Sequence, residues 1–165
     1  MEVVLARIDD RLIHGQVTVG WSVQLRPDTI LLADNAIAAD SWQSRVYASS
    51  VPPHITVSIL SVARAAAVLA EPPAEAERLL LLTGGPSEMA ELVRLGAPLR
   101  QVNVGGLHFG AGKKEMLPFV YVDQQELKAL RRLLDRGVTL TAQQVPGGRE
   151  FPLELEDLRR MEELF

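Results

Sequence analysis

The chain has no cysteine, which excludes disulfides, thiol redox chemistry and cysteine-ligated metal sites. It also has no apolar run approaching the roughly 18 residues that a membrane-crossing helix needs. No membrane-spanning segment is therefore expected. The amino terminus lacks a basic region followed by a small-residue cleavage site, so no secretory leader is expected either. Lysine and arginine nowhere form a block, and the formal net charge is −4. Nucleic acid is not expected as the main partner. The histidines, at positions 14, 54 and 108, show no ligand spacing, and neither a metal nor another cofactor is expected. Repeats, low-complexity segments and long linkers are missing as well. What is left fits a cytoplasmic protein. Its 165 residues, 47% of them hydrophobic, are expected to form one domain over 1–165 around one core.

The apolar runs come at regular intervals and are separated by turn residues. Val3 to Ala6, Thr29 to Ala33, Ile55 to Leu60, Leu79 to Leu82, Gln101 to Val104 and Val138 to Val145 read as strands. Between them, helices are predicted over Val17 to Leu25, Ala36 to Ser49, Val62 to Ala70, Ser87 to Leu95 and Gln124 to Arg136, with a charged helical tail from Glu154 to Leu164. Glu71-Pro72-Pro73 reads as a break, and Gly96 as a helix C-cap. Such alternation predicts an α/β fold with a mostly parallel central sheet and helices on both faces. Pro118, between two short apolar pieces, suggests one antiparallel or irregular edge strand.

One stretch concentrates charge where an open α/β sheet binds ligands, outside the carboxyl end of a strand. It is Arg7-Ile8-Asp9-Asp10-Arg11-Leu12-Ile13-His14-Gly15-Gln16, read as a loop between the first strand and the first helix. Histidine acts as base or nucleophile near neutral pH, and arginine presents a planar fork of donors to phosphate oxygens. His14 is thus the candidate phosphoryl carrier and Arg11 the residue that holds the group. Arg7 either adds positive charge or pairs with Asp9 or Asp10. One of the two aspartates can orient an arginine or the imidazole, and at least one is expected to face away from phosphate. Gly15 allows close backbone approach, and Gln16 and the helix start can line the site.

Other loops carry weaker signals. Thr83-Gly84 can hold phosphate through backbone N–H groups, although the pattern of a nucleotide loop is absent. Asp34-Asn35 and Ser61 read as a turn former and a helix cap. Gly105-Gly106 reads first as a tight turn. His108 is either a second-site histidine or an exposed one, and His54 has no evident role. Trp21 and Trp42, at helical positions, read as core or interface.

Arg7 to Val17 resembles the B-component signature of the mannose/fructose/sorbose family of the bacterial phosphoenolpyruvate-dependent sugar phosphotransferase system. Val102-Asn103-Val104-Gly105-Gly106-Leu107-His108 is similar to that family's later glycine loop. The resemblance covers essentially the whole chain. It implies that His14, through Nδ1, takes a phosphoryl group from a phosphohistidine on an A component. The group then goes to a sugar bound by membrane C and D components, which makes the chain a phosphohistidine–sugar phosphotransferase recruited peripherally to the permease. No A-like domain is expected ahead of the signature. Leu12, Ile13, Phe109 and Trp21 are the apolar residues expected around His14 where partners dock. Two alternatives stand beside this reading. One is a regulatory module whose phosphohistidine signals to a partner without sugar transport. The other is an α/β domain binding a small anion or a nucleotide without phosphohistidine.

Overall fold

In the computed structural model, residues 1–72 and 76–165 are described. Pro73, part of the expected break, lies outside them. Nine strands are formed among these residues: β1 (Glu2–Asp9), β2 (Thr29–Ala33), β3 (Thr56–Leu60), β4 (Arg78–Thr83), β5 (Gln101–Gly106), β6 (Lys114–Leu117), β7 (Val120–Val122), β8 (Thr139–Ala142) and β9 (Phe151–Leu153). Seven make one sheet in the order β3-β2-β4-β1-β5-β8-β9. All its pairings are parallel except β8 with β9. After β1 the chain moves to one side of it, and β5 later returns to the other. A crevice therefore opens at the carboxyl ends of β1 and β5, the kind of switch point where such sheets bind ligands.

The helices are α1 (Ser22–Leu25), α2 (Asn35–Ala38), α3 (Ser41–Ser49), α4 (Val62–Ala70), α5 (Pro86–Arg94), α6 (Gln124–Asp135) and α7 (Leu155–Glu162). A π-helical segment, Gln16–Trp21, runs directly into α1. Helices α4 to α7 cover one sheet face around Ala6, Ile8, Leu79, Leu81, Val102 and Val104. The π-helical segment and α1 to α3 cover part of the other, around Ile30, Leu32, Leu80 and Leu82. Buried parallel strands read as continuous apolar runs, which is why β2 and β4 were recognisable as strands.

Three elements differ from the expectation. The helix expected over Ala36 to Ser49 is two, because the Asp40 carboxylate accepts from the N–H groups of Trp42 and Gln43 and starts a new helix. Trp42 consequently stands exposed on α3, outside the core. The pieces flanking Pro118 pair with each other as a separate antiparallel sheet, β6-β7. The antiparallel edge of the main sheet is β9, which carries Pro152; proline lacks a ladder donor and is tolerated on an edge. Other local signals hold. Asp34 and Ser61 cap α2 and α4, Gly96 follows α5 at φ +103°, and Asp123 with Glu126 forms a capping box on α6.

Candidate functional site

Strand β1 extends to Asp9, so Arg7 and Asp9 belong to the sheet, two residues apart and on one face. Both are fully buried. Arg7 lies beside Asn103 on β5, and Asn103 beside Thr141 on β8. The three side chains form a polar row across three strands. Arg7 Nη1 donates to Asn103 Oδ1 at 2.6 Å, and Asn103 Nδ2 donates to Thr141 Oγ1 at 3.3 Å. The same guanidinium donates to the carbonyl oxygens of Gln143 and Gln144 at 2.9 and 2.8 Å. Trp21 covers it, 5.0 Å from ring centroid to Cζ. Burial lowers the Arg7 pKa below its ordinary value, and the Asp9 carboxylate opposes that shift.

Of the two readings open for Arg7, the structure gives the pairing with Asp9; its donors are directed into the sheet. One sequence expectation is corrected. Gly105 is not there to turn the chain, since it lies within β5. The β1–β5 register shifts between Ile8 and Asp9, and Gly105 is skipped in the pairing. A Cβ on Gly105 would overlap Arg7 Cζ, so glycine here makes room for the guanidinium.

Arg7 Nη2 donates to Asp9 Oδ2 at 3.2 Å and holds that carboxylate from below. From above, Arg11 closes on both oxygens: Nε donates to Oδ1 at 3.1 Å and Nη2 to Oδ2 at 3.1 Å. The Arg11 backbone N–H also reaches Oδ1, at 3.2 Å. Folding Arg11 back onto Asp9 requires a sharp turn. Leu12 takes it with φ +61°, a left-handed conformation that costs a non-glycine residue roughly 1–3 kcal/mol. Gly84, after β4, packs against this turn, where a Cβ would lie 3.0 Å from Leu12 Cδ2.

His14 follows, half-buried, its side chain 17% exposed. Its Nδ1 is 2.7 Å from the Leu12 carbonyl oxygen, which only accepts, so Nδ1 carries a proton in this orientation. Nε2 is buried without a hydrogen-bond partner, 3.7 Å from Asp9 Oδ2. The imidazole thus lies between a carbonyl and the carboxylate that already holds Arg11. The N–H groups of Val17 and Thr18 both donate to the His14 carbonyl, so those two amides are not free for an anion. Gly15 is exposed, and a Cβ there would meet nothing within 4 Å. Gln16 is half-buried at the start of the π-helical segment.

Asp10 faces the other way. It accepts from the His108 backbone N–H at 2.7 Å and from His108 Nδ1 at 2.5 Å, which pins the loop after β5 to the loop after β1. Thr83 is buried and its hydroxyl donates to the Gly85 carbonyl at 3.0 Å, so it shapes its own turn instead of lining the crevice. Ile13 and Trp21 are core residues, each 5% exposed, and not docking surface; Phe109, 75% exposed, stands out. Residues that sequence reasoning left without a role are Asn103, Thr141 and the carbonyls of Gln143 and Gln144. Asn103 between Val102 and Val104 was the available signal, a polar residue inside a buried strand.

Comparison with known proteins gives consistent results. The family model described as the PTS system sorbose subfamily IIB component matches residues 3–162. The PTS system fructose-specific EIIB component of Bacillus subtilis is 36% identical over 146 residues, 88% of this chain and 90% of that protein. The mannose-specific EIIAB component of Escherichia coli K12 is 35% identical over 145 residues, 88% of this chain and 45% of that longer one. Among solved structures, the IIBSor domain of the sorbose permease from Klebsiella pneumoniae superposes with a TM-score of 0.88 at 31% identity. That match covers 97% of this chain and 98% of the other.

Proposed function

The chain belongs to the sorbose-subfamily IIB components of the phosphotransferase system, and from that membership we propose that it is a phosphocarrier whose His14 receives a phosphoryl group from an A component and passes it to a sugar. One observation supports this most: Arg11 and His14 converge on the same buried carboxylate at the carboxyl end of β1. In the reaction the imidazole changes tautomer. Nδ1 leaves the Leu12 carbonyl and gives its proton to water, while Nε2 takes one up from water and is held by Asp9. The freed Nδ1 lone pair then attacks phosphorus. A carboxylate that fixes the tautomer of an attacking or relaying imidazole is a recurring arrangement. Phosphoryl transfer asks the protein mainly for in-line positioning and for donors aimed at the equatorial oxygens. Arg11 supplies those donors from the Nη1 edge that Asp9 leaves unused, with its side chain 32% exposed. Gly15 lets the group approach the loop backbone closely. Asp10 faces away and adds no repulsion there.

The donor is an A component, a pairing supported by the relative whose printed name joins A and B. The acceptor is a sugar held by membrane C and D components. No helix among the described residues is long and apolar enough to cross a membrane, and the chain works as a cytoplasmic domain, residues 1–165, recruited to the permease. Phosphoryl uptake from a labelled A component, followed by a chase with membranes carrying C and D components, tests this. The acceptor panel is fructose, sorbose, mannose and N-acetylgalactosamine, the sugars in the names of relatives. Transfer of label to one of them is the expected result. Uptake of label with transfer to none of them would instead favour a regulatory phosphohistidine module.

A further inference from the structure

A cleft of about 290 Å³ opens beside the phosphocarrier loop, lined by Arg11, Gly106, His108, Phe109, Phe119 and Tyr121 among others. Consecutive aspartates build its polar edge. Asp9 holds Arg11, and Asp10 holds His108 with both carboxylate oxygens, one on the ring and one on the backbone. A carboxylate oxygen only accepts, so His108 Nδ1 carries a proton, and in the neutral ring Nε2 is the nitrogen with the lone pair. The His108 side chain is 62% exposed, and the ring is free to meet a ligand. Phe109 and Tyr121 meet edge to face at 5.7 Å and give the cleft an aromatic wall.

We propose that His108 is a catalytic base for the second half of the reaction, removing the proton from the sugar hydroxyl that attacks phosphohistidine. The proposal rests on the carrier reading above and deepens it. The two half-reactions differ in one respect. His14 Nδ1 attacks with a lone pair freed beforehand by a tautomer change, and no proton is lost as the P–N bond forms. A sugar hydroxyl, by contrast, must lose its proton as the new bond forms. In the sugar step the hydroxyl oxygen bonds to phosphorus while the P–N bond to His14 breaks. The bonding pair returns to Nδ1, and His14 leaves as neutral imidazole because Nε2 keeps its proton beside Asp9. The hydroxyl proton passes to His108 Nε2, the Asp10 carboxylate holds the resulting imidazolium, and water later takes the proton away. A base oriented by a third group in this way is the arrangement general-base catalysis uses. Other groups nearby are engaged: His14 is the leaving group, Asp9 is buried between two arginines, and Asp10 is bonded to His108.

The test separates the half-reactions in the full chain, using wild type, His108→Gln, His108→Ala and Asp10→Asn, each checked for folding by circular dichroism. Label uptake from the A component and label transfer to the accepted sugar of the panel are measured separately. General-base catalysis contributes about 10²–10⁴-fold, so both His108 variants are expected to lose at least about 100-fold in sugar transfer while uptake stays within about twofold. Asp10→Asn should lose less, in the same step. Millimolar imidazole should restore part of the sugar transfer in His108→Ala and none in His14→Ala. Unchanged sugar transfer, equal loss in both steps or no rescue by imidazole would each overturn the assignment. Wild type that takes up label but passes it to no sugar fails the carrier reading itself, and the base with it.

Discussion

One face of the central sheet changes character at β1. On the side of β2 and β4, Ile30, Leu32, Leu80 and Leu82 are fully buried under Val17, Ile37 and Ile55. On the side of β5 and β8 the same face carries Arg7, Asn103 and Thr141, linked strand to strand. The apolar half is held by non-directional burial, worth roughly 1.5–3 kcal/mol per large side chain, and many arrangements of similar volume would serve it. The polar half is a chain of directed bonds, in which each group depends on the geometry of its neighbour. Asp9 stands at the end of that chain, and Arg11 and His14 depend on Asp9. The difference teaches that this sheet does two jobs: one half keeps the chain folded, and the other positions the loop that bears Arg11 and His14.

The strongest way to break the comparison is at its polar end. Arg7→Met keeps an unbranched side chain in place but leaves the buried Asp9 carboxylate without its inner partner, which typically costs about 3–5 kcal/mol. Denaturant unfolding should register that loss, and phosphoryl uptake per folded molecule should fall with it. A variant with wild-type stability and uptake would mean that the polar row aims nothing. Next comes the apolar half. Leu80→Ala removes a fully buried side chain, and about 2–5 kcal/mol should be lost. Uptake measured at a temperature where the variant is still folded should nevertheless match wild type. If uptake fell in proportion to stability, the two halves would not be separable.

A smaller effect sharpens the boundary between them. Gly105→Ala places a methyl group where the Arg7 guanidinium lies, and overpacking of this kind costs about 1–3 kcal/mol. The guanidinium must shift, so uptake should drop more than a surface change of equal destabilisation would cause. Comparing Gly105→Ala with Gly15→Ala, whose new methyl group would meet nothing within 4 Å in the free chain, checks this: the first should lose stability and the second should not.

The same division explains what could be read in the sequence. The apolar half was legible because Thr29 to Ala33 and Leu79 to Leu82 are short apolar runs bounded by turn residues. The charged stretch from Arg7 to His14 was legible as a candidate site because its residue types suit phosphate. Its internal arrangement was not. Whether Arg7 points to solvent or into the sheet depends on Asn103 standing beside it, and that pairing joins residues 96 positions apart. The need for glycine at Gly105 arises from the same contact. Strand β9 escaped notice because three residues with a central proline carry almost no strand signal, and the split before α3 depends on one capping aspartate, Asp40.

The central claim is that His14 carries the phosphoryl group in a setting organised by Arg11 and Asp9. Its most direct measurement is label uptake over time from a phosphorylated A component into wild type, His14→Ala and Arg11→Ala, with circular dichroism showing each to be folded. The expected result is acid-labile, base-stable label on wild type and none on His14→Ala. Arg11→Ala should be slower by about 10²–10³-fold, the usual consequence of losing one preorganised donor where charge develops. Normal incorporation into folded His14→Ala would contradict the account, and an unaltered rate in Arg11→Ala would remove Arg11 from the mechanism.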